Sequence, residues 1–227
     1  GNYSTFGIFN ATWNFSEEKA GDSVGDIEFI DRSSLYGDCN VNITSKVDNH
    51  TNLLNINNNQ FDSKSEIFNY LGYNDTVAYS ERISGTIEFW WRTTNVNQIS
   101  RFILGKSPED YRFISIQVNN SEFQHFNGIN WLNVGFNAIN DTWYLLRFDF
   151  VFGNGGYQGL LNNTYNFYIN DNLMLSNESF SIKGECINSL ILYQKQITSS
   201  FNNYYDAFGY SWDPDYKIGY NKKEIYL

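Results

Sequence analysis

Apolar and polar side chains alternate with a period of two along most of the chain. In "GTIEFWWRTTN", residues 85 to 95, that period sends Ile87, Phe89 and Trp91 to one side of a strand and Thr86, Glu88, Trp90 and Arg92 to the other. The same alternation recurs at 26–33, 40–47, 52–58, 100–106, 111–118, 142–152, 164–170, 189–195 and 205–212. So many short strands predict a β-sandwich or barrel. Asn127-Gly128 in "QHFNGINW" predicts a type I′ turn, "GNGG" at 153–156 ends the long aromatic strand, and Asn170, Asp171 and Asn172 predict another hairpin. With only Pro108 and Pro214 and no linker-like stretch, residues 1–227 read as one domain, and no repeat of 20 to 50 residues suggests a solenoid or propeller.

The alternation also assigns faces. Tyr204, Asp206, Phe208, Tyr210 and Trp212 are expected on one face of the last strand, and Tyr144, Phe148, Phe150 and Phe152 on one face of the long strand, both as core. Trp143, Leu145 and Val151 lie on the opposite side of the long strand. Ile87, Phe89 and Trp91 are likewise core, so Trp90 shares with Glu88 and Arg92 an outer, concave face, because charges are seldom buried unpaired. An indole left bare there would forgo several kcal/mol of burial, at about 25 cal/mol per Å². Trp90 is therefore expected beneath a loop or strand of the same chain, or else in contact with a glycan or a neighbouring subunit.

Composition sharpens this picture. Aromatics are 19% and charged residues 18% of the 227 residues, which favours pleated, half-buried surface over helix. The net charge of -10, with no cluster of Lys and Arg, excludes nucleic acid as a partner. No apolar run is long enough to span a bilayer as a helix. The chain begins at Gly1, consistent with a removed leader or an excised piece.

Sequons occur at Asn2, Asn10, Asn14, Asn42, Asn49, Asn74, Asn119, Asn140, Asn162 and Asn177, about twice what the Asn, Ser and Thr content would produce by chance. This excess points to an extracellular or cell-surface glycoprotein carrying N-glycans. Cys39 and Cys186 suit the same compartment and are expected to form a disulfide.

The ordered series "HTNLLNI", "ISGTIEFWWRTT", "DTWYLLRFDF", "YNFYINDNLM" and "YYDAFGYSW" resembles the concanavalin A-like lectin/glucanase superfamily, and within it the laminin G-like branch of microbial surface proteins. The resemblance covers roughly residues 40 to 212. It implies an all-β, antiparallel jelly-roll sandwich of two curved sheets. It also implies that "FNATWNFSEE" supplies an edge strand near the C-terminal one, and that glycans or Ca²⁺ can bind at the concave face or its rim.

Chemistry is sparse. Hydrolases of that superfamily carry E-x-D-x-x-E or E-x-D-x-E on one strand; here Glu28 and Asp31 fall on opposite strand faces, and Asp149 stands alone. His50 and His125 read as turn or surface residues, and zinc spacings are absent. Calcium is the one cofactor left open, with Asp213, Asp215 and Asn221 as oxygen ligands around a tight turn. The expectation is a non-catalytic structural or adhesive domain that associates with copies of itself through an unpaired strand edge or through 3–9 or 223–227. A carbohydrate-binding module is the alternative.

Overall fold

The computed structural model describes residues 9–72 and 80–222 and consists of two antiparallel sheets of seven strands packed face to face. Numbered along the chain, the first sheet runs β1 (Arg32–Tyr36), β4 (Lys64–Asn69), β13 (Ser189–Lys195), β6 (Ile99–Lys106), β7 (Tyr111–Asn119), β8 (Glu122–Phe126), β9 (Trp131–Asn137). The second runs β12 (Asn172–Ser179), β11 (Thr164–Ile169), β10 (Tyr144–Val151), β5 (Ser84–Thr93), β14 (Phe201–Tyr210), β3 (His50–Asn58), β2 (Cys39–Val47). This is an antiparallel jelly-roll sandwich, not closed into a barrel.

The core lies between the sheets and is largely aromatic. Ile87, Phe89 and Trp91 are fully buried in it, as alternation along β5 requires, together with Tyr144, Phe148, Phe150 and Phe152. Phe89 meets Phe102, Phe148 and Phe208 at centroid distances of 5.6, 6.3 and 4.9 Å. Such offset and edge contacts add to simple burial.

Several local expectations are corrected. The stripe along the last strand breaks at Ala207, whose φ of 51° and the register shift between Asp206 and Gly209 make a bulge. Tyr204 and Asp206 therefore face outward, whereas Phe208 and Tyr210 enter the core. Residues 26–31 form turns, held by Asp26 N–H to Ser23 and Ile30 N–H to Ile27, with Ile27 and Phe29 still tucked into the core. The alternation in "DIEFIDRS" thus records burial without a ladder. At Asn127-Gly128 only Gly128 has positive φ, 95°, so the link is a four-residue loop over 127–130 in which Asn127 Oδ1 accepts the N–H groups of Ile129 and Asn130. Asn170 and Asp171, at φ of 49° and 65°, make the two-residue hairpin of type I′ character instead. Trp13 exchanges both backbone hydrogen bonds with Phe208, so the N-terminal stretch meets the last strand in a single bridge.

Candidate functional site

The two sheets present very different outer faces. That of the second sheet, where Trp90 sits, is sealed by the chain itself. Beyond β14 the chain turns back, and Tyr216 lies on the sheet at Gly209, where any Cβ would overlap the tyrosine ring. The Tyr216 hydroxyl and the Gly219 N–H both donate to Glu88 Oε1, and Trp90 Nε1 donates to the Asn221 carbonyl at 2.7 Å. Trp90 is thus covered by its own chain, and Glu88, expected on a solvated face, is fully buried. Burial raises the Glu88 pKa above the usual carboxylate range, against the lowering effect of its two donors.

A second group closes the same face. His50, expected in a turn, begins β3 and is 2% exposed; its Nδ1 lies 2.7 Å from Asp206 Oδ2. Its ring stacks on Trp143 and Phe9 at 3.9 and 4.6 Å. Burial lowers the His50 pKa to about 3 and raises that of Asp206 well above the carboxylate range. The two directions together describe a pair holding one proton. Next to it Arg147 grips both oxygens of Asp149, and Thr86 donates to the same carboxylate. Register places Glu88 opposite Arg147 and Thr86 opposite Asp149, so the fold brings two acids from separate strands onto one face. Both are engaged by protein groups.

Of the expected calcium ligands, Asp213 Oδ1 accepts the Asp215 N–H in a turn, and Asn221 is buried and donates to the Ala207 carbonyl. Among the described residues no group of three His, Cys, Asp or Glu is placed to hold a metal.

Cys39 and Cys186 are free thiols, which corrects the expected disulfide. Cys39 Sγ donates to the carbonyls of Tyr36 and Lys64 at the start of β4, whereas Cys186 lies beyond its end, where Leu190 pairs with Asn69. The length of β4, roughly 20 Å at about 3.3 Å per residue, separates them, and bridging needs Cα atoms within about 7 Å. Alkylation of unreduced, denatured protein is expected to label both; protection of both would contradict this geometry. His125 is also buried, 6% exposed on β8.

Of the sequons, Asn10, Asn49, Asn140 and Asn162 are exposed, and Asn14, Asn42, Asn119 and Asn177 are half-buried. Asn2 and Asn74 lie outside the described residues. Asn140 Oδ1 accepts the Val96 N–H and Asn162 Oδ1 that of Gly155, and among the described residues neither amide nitrogen, the glycan attachment atom, has a hydrogen-bond partner.

The outer face of the first sheet is open. Register aligns one row of side chains across it, Glu66, Tyr193, Arg101, Gln117, Gln124, and below it a second, Phe68, Ile191, Ile103, Ser115, Phe126, Trp131. A groove of about 470 Å³ runs between Arg101, Ile103, Arg112, Phe126, Trp131 and Ile182. A smaller hollow of about 200 Å³ continues from Asp110 and Arg112 towards Phe68. Phe126 and Trp131 sit 5.3 Å apart, and the Arg101 guanidinium is flanked by the rings of Trp131 and Tyr193 at 5.0 and 4.9 Å. Arg112 binds Asp110 and Glu66. Burial pulls the Arg101 pKa below its ordinary value, with the nearby Arg112 charge acting in the same direction and Tyr193 and Glu66 opposing it. Sequence reading missed this face. Its only trace was the polar-and-aromatic side of "SRFILGK" and "QHFNGINW", which becomes a surface only when six strands are aligned.

No protein-family model matches the chain, and no curated protein matches it. Among solved structures it is similar to a sialidase, at 9% identity and TM-score 0.60 over 90% of this chain and 19% of that one. It is also similar to the cellulose-induced protein Cip1, at 8% identity and TM-score 0.54 over 79% and 89% of the two chains. A third is the binding domain of botulinum neurotoxin DC, determined in complex with rat synaptotagmin II, at 14% identity and TM-score 0.52 over 89% of this chain and 47% of that one. This chain therefore spans about a fifth of the sialidase and under half of the toxin chain, and what it shares with all three is the jelly-roll sandwich.

Proposed function

We propose that the chain is a non-catalytic, extracellular glycoprotein module that binds carbohydrate across the outer face of its first sheet. The observation that carries this reading is the contrast between the faces: one is sealed by the C-terminal segment, the other bears an open groove with Trp131, Phe126 and Tyr193 beside Arg101, Gln117 and Gln124. Aromatic planes pack on the C–H face of a pyranose, while planar amide and guanidinium groups meet its hydroxyls. The names sialidase and cellulose-induced protein, carried by proteins of like fold, lie in the same direction, but the groove itself is the support. The absence of catalysis is supported by the occupied acids. Asp110 and Glu66 are both bound by Arg112, and Glu88 and Asp149 lie beneath the closed face.

An oligosaccharide array is expected to show binding by the wild-type domain. Trp131→Ala is expected to weaken it roughly a hundredfold, the loss of one or two stacked-ring contacts at about 1.4 kcal/mol per decade, with little change in thermal stability. Retention of full affinity in Trp131→Ala would reject this face as the site. Extracellular residence predicts glycans on several of Asn10, Asn49, Asn140 and Asn162; a native mass equal to the bare 26.4 kDa would contradict it.

A second reading, self-association, rests on the edge strand β9 and its surroundings. Ile129, Leu132 and Ile139 are 81, 41 and 65% exposed there, beside unpaired backbone groups. Sedimentation at high concentration is expected to show oligomers that dissociate in Leu132→Asp. A purely monomeric wild type would remove this reading.

A further inference from the structure

Arg101 is the unusual group of the open face. Its Nε donates to Gln117 Oε1 at 2.7 Å, Gln117 Nε2 to Gln124 Oε1 at 2.7 Å, and Gln124 Nε2 to Glu122 Oε2 at 3.0 Å. Each amide accepts on one side and donates on the other, so the chain is polarised in one direction from guanidinium to carboxylate. It fixes the orientation of the fork without neutralising it. No carboxylate lies within ion-pair distance of Arg101 among the described residues, and its Nη atoms have no hydrogen-bond partner there, whereas Arg112 in the same groove takes two acids. Both acids of the groove, Asp110 and Glu66, are thus taken by Arg112, and Arg101 is left without a direct anionic partner among the described residues.

An oriented, partly desolvated guanidinium with free Nη donors is matched by a planar two-oxygen anion, which it binds through two parallel hydrogen bonds. Resting on the carbohydrate reading above, we infer that the ligand is an acidic saccharide, a uronic-acid-containing glycan whose carboxylate meets Arg101 while a neighbouring pyranose ring packs on Trp131. The guanidinium carbon lies over the Trp131 ring, 5.0 Å from its centroid, so the anion-binding fork and the indole form one contiguous patch. Gln117 and Gln124 act as positioning residues behind the fork.

The test compares uronic-acid oligomers (galacturonate, glucuronate and mannuronate based) with the same oligomers after carboxyl reduction, by calorimetry with the full chain. The wild type is expected to prefer the acidic form by roughly tenfold or more. Arg101→Gln is expected to abolish that preference, lowering affinity for the acidic form by roughly tenfold more than for the reduced form, and Arg101→Lys, which keeps the charge but loses the fork, to fall between wild type and Arg101→Gln. Equal binding of both forms by the wild type, or a preference that survives in Arg101→Gln, would overturn the acidic-ligand inference and leave the carbohydrate reading standing. Binding of neither form, together with a blank oligosaccharide array, would overturn both.

Discussion

Trp91→Ala is expected to lower the unfolding free energy by about 4 to 6 kcal/mol, measured by urea denaturation, and Trp90→Ala by only about 2. Trp91 is fully buried and edge-on to Phe102 and Phe123 at 5.3 and 5.8 Å, so its removal opens a cavity between the sheets. Its Nε1 also donates to Asn203 Oδ1 at 3.2 Å, and Asn203 Nδ2 in turn donates to Ser100 and Gln194, both at 2.7 Å. Truncation therefore leaves a buried acceptor unmet as well. Domains of this kind have about 5 to 15 kcal/mol in total, so the variant should be near the edge of folding, with Trp91→Phe intermediate. Trp90 is half-buried and holds the C-terminal segment by one bond to the Asn221 carbonyl. Its loss should loosen that segment more than the sandwich. Should Trp90→Ala be the more damaging of the two, the assignment of faces along β5 would be wrong.

The second large effect is a reversal in pH dependence at the His50–Asp206 pair. In the unfolded chain the pair binds two protons below about pH 4, one between about pH 4 and 6.5, and none above. Folded, with His50 pushed down to about 3 and Asp206 pushed well up by burial, it retains one. Between about pH 4 and 6.5 the proton counts match, so the pair adds no slope; above about 6.5, until the raised Asp206 pKa is passed, the folded state binds the extra proton and stability falls as pH rises. In Asp206→Asn the amide still reaches Nδ1 and the Ala207 N–H, but only His50 titrates. Its depressed pKa then makes stability fall as pH drops below about 6.5, by about 1.4 kcal/mol per pH unit. Glu88, raised by burial in both proteins, contributes equally to each profile and cancels in their difference. The measurement is unfolding free energy from pH 4 to 8.5 for both proteins. Parallel profiles would show that His50 and Asp206 do not share a proton.

The period-two alternation and the aromatic composition already contained the fold class, because burial on one side of a strand leaves its mark every second residue. It also contained the core positions Ile87, Phe89 and Trp91, which are its direct expression. Strands without that mark, such as β4 in "KSEIFN", were not legible. The alternation also misled where it met a bulge at Ala207 or a turn at 26–31, since it reports which side chains are buried and not which backbone groups pair.

Sequence alone thus determined that this chain is all-β, a sandwich or barrel of many short strands, and which side of each clear strand enters the core. Tertiary structure alone decided what covers Trp90, that Cys39 and Cys186 stand a strand's length apart, that His50 and Asp206 meet across 156 positions, and that Arg101 lines an open groove whose acids are taken by Arg112. The physical reason is range. Alternation is a property of neighbouring residues, whereas a site on a sheet is a row across strands, and its members are brought together only by the order in which the strands pair.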